Sequence, residues 1–203
     1  AWDYADGDGD VLNISGHGTS VASLAAGMYI GAGDIKQEDG TVLHESSFYG
    51  SAPDAQLLLM KAAEDGSAKV DASAVAAAIL DALRLDASAI VVNTHGIEAD
   101  KDLAEAIARA NEIGVPVFAG AGDTSLRAEE LSVLYTDRST LTAAADLSRH
   151  MSDYTGAGEV IAVIDSGFDL THPVFDTAPP SPAIARSDVA RLFGEAYYVS
   201  EKI

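Results

Sequence analysis

Short runs of uninterrupted apolar residues constrain this chain most. Gln56–Lys61 (QLLLMK), Ala89–Asn93 (AIVVN), Val115–Ala119 (VPVFA) and Glu159–Ile164 (EVIAVI) are apolar nearly throughout, and Ser139–Ala145 is a weaker run of the same kind. Alternating sequences mark strands with one wet face; continuous runs mark strands buried on both faces. Helical patterns lie between them. Val75, Ile79, Ala82 and Leu83 recur at helical spacing in a segment that Asp71 can cap and that runs to Leu85. Asp100–Ile113 is amphipathic and is closed by Gly114. Strand, helix, strand, helix, strand predicts an α/β fold built on a doubly wound parallel sheet.

The rest of the chain is less regular. Gly18–Tyr29 is small and apolar and predicts a helix starting just after His17. Residues 1–16 read as an Asp/Gly-rich surface loop, 31–50 as polar and irregular, 177–183 as a Pro-rich loop, and 187–199 as holding a short helix.

Composition removes several function classes. The chain has no cysteine, so disulfides, thiolate zinc sites and a cysteine nucleophile are excluded. Its formal net charge is −20, which repels phosphate backbones and anionic lipid and argues against nucleic-acid or membrane-surface partners. No apolar run approaches a membrane span, and no signal peptide is visible. Asp6, Asp8 and Asp10 alternate as in a calcium loop, but the distal glutamate of such a loop is absent. No metal or cofactor is assigned; calcium stays open beside a plain acidic loop.

In parallel sheets the functional groups gather at the carboxyl ends of the strands. Asp165 follows the run 160–164. A carboxylate at the tip of a buried strand needs a partner, such as a histidine, or else caps the next turn. His17 stands between two glycines in Ser15-Gly-His-Gly-Thr-Ser20, where either an exposed loop histidine or a functional one fits.

Together these segments resemble the subtilisin-like serine peptidases, or subtilases. Gly16-His-Gly-Thr-Ser-Val-Ala22 is similar to their histidine motif. Val160-Ile-Ala-Val-Ile-Asp-Ser-Gly-Phe-Asp169, with Thr171-His-Pro173, is similar to their aspartate motif. Gly50–Lys61 resembles the strand after the histidine helix, Ala89–Gly96 the strand lining the specificity pocket, and Gly114–Asp123 the strand of the oxyanion hole. Trp2–Gly7, Ala52–Lys61, Ser139–Ala145 and Tyr197–Ile203 carry a further look of the cell-envelope group, that of lactocepin and C5a peptidase.

The resemblance implies a three-layer subtilisin-like fold and a peptide or protein substrate. It implies His17 as general base, Asp165 as its orienting carboxylate, Thr94, His95, Gly96 and Gly120 as substrate-binding residues, and Asp123 at the oxyanion position. For the parent protein it implies secretion or a place in the cell envelope.

The sequence also departs from the family. Subtilases run aspartate, histidine, serine, whereas here the histidine precedes the aspartate. Residues 1–150 resemble the core from the histidine motif through the oxyanion strand, and residues 151–203 resemble the family's beginning. The break falls at His150-Met151, as in a circular permutation or an engineered junction. No second Gly-Thr-Ser string follows Gly18-Thr-Ser20, so the serine segment is expected to lie in a C-terminal half outside this chain. Asp123 stands where the family has asparagine, and an ionised carboxylate cannot donate to an oxyanion. The chain alone is therefore expected to be inactive. A pseudopeptidase that binds a peptide or protein is the alternative.

Overall fold

A computed structural model describes residues 1–29, 34–36, 42–44, 48–94, 97, 100–120, 155–180, 183–184 and 186–194. Its strands are β1 (Trp2–Asp3), β2 (Met28–Tyr29), β3 (Asp34–Lys36), β4 (Val42–His44), β5 (Phe48–Tyr49), β6 (Gln56–Lys61), β7 (Ala89–Val92), β8 (Val117–Ala119) and β9 (Val160–Asp165). Its helices are α1 (His17–Ala26), α2 (Ala72–Arg84), α3 (Lys101–Ile113) and α4 (Arg186–Phe193), with a 3₁₀ turn at Pro173–Phe175.

The main sheet is parallel throughout, in the order β1-β6-β9-β7-β8. Its central strand, β9, therefore comes from the far end of the sequence. It pairs with β6 from Gln56↔Val160 to Lys61↔Asp165 and with β7 from Ala89↔Ile161 to Val92↔Ile164. Both faces are covered, as the continuous apolar runs predict. Leu58, Met60, Ile90, Val92 and Ile164 pack against Val75, Ile79, Leu103 and Ile107 of α2 and α3. On the other face Leu57, Leu59 and Val163 meet Ala22 and Ala26 of α1, with Phe168 and Phe175.

The predicted helices form where their caps place them. The Asp71 side chain accepts from the Ser73 and Ala74 amides, and Asp100 does the same for Asp102 and Leu103. Gly114 closes α3 in the left-handed region at φ 84°. α1 stops three residues earlier than the sequence suggests. Gly27 turns extended at ψ 148° while its amide still bonds to Ser23, and Met28–Tyr29 then pairs with β5.

Three further readings are corrected. The stretch 31–50 contains strands: β2 pairs with β5 and β3 with β4, both antiparallel. Trp2 and Asp3 are an edge strand of the main sheet rather than loop. The third apolar run is strand only from Val117, because Pro116 has no amide to give and offers its carbonyl to Ile90 instead. Helix α4 occupies Arg186–Phe193, and the strand expected at 139–145 lies outside the described residues.

Candidate active site

The first turn of α1 and the tip of β9 meet at the carboxyl edge of the sheet. His17 Nδ1 lies 3.0 Å from both carboxylate oxygens of Asp165. Asp165 is fully buried, whereas 47% of the His17 side chain is exposed. The ring is thus anchored on its Nδ1 edge and open on the other. A carboxylate only accepts, so Nδ1 is the donor in this contact and Nε2 takes no part in it.

Asp165 is also held locally. Its Oδ1 accepts from the Ser166 amide at 2.7 Å and from the Ser166 hydroxyl at 3.2 Å. These bonds offset part of the penalty of burying a carboxylate.

Small residues make the approach possible. Gly18, Ala22 and Ala26 lie on the buried side of α1 at four-residue intervals. A Cβ on Gly18 would collide with the Gly167 carbonyl oxygen and come within 3.0 Å of Asp165 Cβ and Phe168 Cε1. The Thr19 hydroxyl accepts from the Asp169 amide at 2.8 Å and binds the helix to the loop beyond β9.

Two further predicted site residues lie at neighbouring strand ends. Thr94, just past β7, is only 8% exposed, and its hydroxyl has no hydrogen-bond partner among the described residues. Gly120 follows β8 and donates its amide to Val92; a Cβ there would stand 2.7 Å from Asn93 Oδ1. His95, Gly96 and Asp123 lie outside the described residues.

The acidic loop takes a different form from the one its alternation suggests. Asp8 and Asp10 accept amides of their own loop, from Asp10 at 2.8 Å and Leu12 at 3.1 Å. Asp6 instead joins Asp3 and Asp65, and these three carboxylates could together hold a metal ion. The chain's own cation, Lys61, is already there. Its ammonium is 2.6 Å from Asp3, 3.8 Å from Asp6, and ion-paired with Asp65. Burial pulls the Lys61 pKa down, but hydrogen bonds to Asp3 and Asp65 and their charges raise it above the ordinary lysine value. Sequence reading missed this lysine, whose only signal was a charge ending an apolar run.

The subtilase family profile matches residues 1–150. The chain belongs to the subtilase family. Thermitase from Thermoactinomyces vulgaris is similar to it, 26% identical over 166 residues, which are 82% of this chain and 54% of thermitase. The chain thus spans about half the length of that curated relative. No solved structure matches it. No helix among the described residues is long and apolar enough to cross a membrane.

Proposed function

We propose that this subtilase chain is part of the catalytic domain of a serine endopeptidase, with His17 as general base and Asp165 as the carboxylate that orients it. The observation that carries the reading is the placement of His17 Nδ1 against a fully buried Asp165, with the other ring edge open. In peptide hydrolysis Nε2 would take the proton of a serine hydroxyl as that oxygen attacks the carbonyl. It would then return the proton to the leaving amine, while Asp165 stabilises the imidazolium. Thr94, His95, Gly96 and Gly120 would border the bound peptide.

The serine would come from a C-terminal half of the parent, and the segment 151–203 would precede residue 1 in the family's order. Trp2 stacking on Phe193, with ring centroids 4.9 Å apart, supports that order by bringing the chain's start beside α4. A secreted or cell-envelope parent of the lactocepin and C5a peptidase group is part of the same reading. So is a permuted arrangement of the two segments.

The chain alone is expected to be inert to a fluorophosphonate probe, since among the described residues the His17 ring meets no serine hydroxyl. A covalent adduct on one of its serines would overturn that expectation. Asp123 favours a second reading, a pseudopeptidase that binds a peptide or protein without cleaving it. In the parent protein, Asp123→Asn restores an oxyanion donor and is expected to raise turnover by roughly 10²-fold if the first reading holds. A parent that turns over no peptide with either residue would favour the second.

A further inference from the structure

We propose that Asn13 is a positioning residue for the His17–Asp165 pair, an inference that rests on the pair's role proposed above. Asn13 lies four residues before His17, in the loop leading into α1. Its Nδ2 donates to two carbonyl oxygens far away in sequence, those of Ser166 and Ser67, the latter at 2.7 Å. Its Oδ1 accepts the Ile14 amide at 2.7 Å, so both amide hydrogens are committed to the carbonyls and the oxygen to its own loop.

Ser166 is the residue whose amide and hydroxyl hold Asp165 Oδ1. By gripping the Ser166 carbonyl, Asn13 fixes the Ser166–Gly167 peptide and so holds, from its carboxyl side, the residue whose amide and hydroxyl hold the carboxylate. A second bond runs alongside, from the Phe168 amide to the Val11 carbonyl at 2.7 Å. Gly167 is pressed between the two, with no room for a Cβ against Asn13. The contacts close a ring: Asn13 to Ser166, Ser166 to Asp165, Asp165 to His17, and four residues of chain back to Asn13. Any rotation of the carboxylate relative to the imidazole must stretch a link of that ring. The Ser67 bond adds a third point, tying the ring to the loop that carries Asp65 and so to Lys61.

Two substitutions test the role. Asn13→Ala removes both donors. Asn13→Asp keeps the shape and the acceptor for Ile14 but turns a carboxylate oxygen toward two carbonyls. The readout is the ring ¹⁵N shifts of His17 in the chain, which report whether Nδ1 carries the proton. They require no peptidase activity. Asp71→Ala, at the remote cap of α2, serves as a control for lost stability alone.

In the parent chain neutral His17 is expected to be dominantly the Nδ1–H form. In both Asn13 variants it is expected to fall to the mixture of free imidazole, while Asp71→Ala retains the parent pattern. Parent-like shifts in both Asn13 variants would overturn the positioning role. If Asn13→Ala does not fold, Asn13→Ser, with a single shorter donor, carries the same comparison. A parent chain without the Nδ1–H form would instead refute the His17–Asp165 pairing itself, and the role of Asn13 with it.

Discussion

Lys61 and Asp165 are register partners at the ends of β6 and β9, pointing to the same face of the sheet, yet each is paired with a different residue. The lysine is turned to Asp3 at 2.6 Å and the aspartate to His17 at 3.0 Å. Had the two paired with each other, the carboxylate would be committed to a permanent cation rather than to an imidazole. The Asp3, Asp6 and Asp65 carboxylates therefore bear on the candidate site although none of them touches it.

Removing one member of that cluster should show its weight. Lys61→Met leaves the fully buried Asp3 carboxylate without its cation and is expected to destabilise the fold by about 3–5 kcal/mol. Lys61→Met with Asp3→Asn should recover much of that loss. Urea unfolding of the two variants checks both. A double variant no more stable than the single one would count against an ionic origin.

Gly18→Ala is expected to destabilise by about 1–3 kcal/mol, because the new methyl meets backbone that cannot rotate away. It should also push α1 off β9 and weaken the His17–Asp165 contact. Thermal unfolding and the His17 ring shifts should change together.

Asp71→Ala should cost about 1 kcal/mol at neutral pH through loss of the α2 cap. Hydrogen bonds from the Ser73 hydroxyl and the Ala74 amide hold the Asp71 carboxyl below its ordinary value of 3.8. A carboxyl depressed in the folded state stabilises above its unfolded pKa and loses that contribution as pH falls through the folded one. The difference between wild type and variant should therefore be full near pH 7 and shrink progressively below pH 3.8. Urea midpoints across that range test the sign.

A double-mutant cycle on Trp2→Ala and Phe193→Ala is expected to give a coupling of about 0.5–1.5 kcal/mol for the stacked rings. Trp2 is the only tryptophan, so its emission reports α4 docking directly. In the Phe193→Ala chain that emission should shift toward the value for a wetter indole. Unchanged emission would mean that α4 does not cover Trp2 in solution.

Features that repeat along the sequence could be read from it. The runs at 56–61 and 160–164 had to be buried on both faces, and Asp71, Asp100 and Gly114 marked helix ends by local chemistry that needs no tertiary partner. Asp165 stood out as a carboxylate at the tip of a buried run, and His17 as a histidine between two glycines at the start of a small-residue helix. Strands of two residues, such as Trp2–Asp3 and Met28–Tyr29, are too short to show a period, so pairing alone creates them. Lys61 and Asn13 escaped for a related reason. A lysine closing an apolar run and an asparagine in a loop look ordinary until residues far off in sequence supply carboxylates for one and carbonyls for the other.

The central position of β9 also governs how the sheet of this chain can assemble. Until residues 160–165 are in place, β6 and β7 have no strand between them, and each presents an open edge that invites pairing with another chain. The sheet cannot be zipped from one side. It closes on both flanks of one strand distant in sequence from its neighbours, a long-range step of the kind that folds slowly. The same insertion brings Asp165 to His17, so the histidine meets its carboxylate only when the sheet itself is completed.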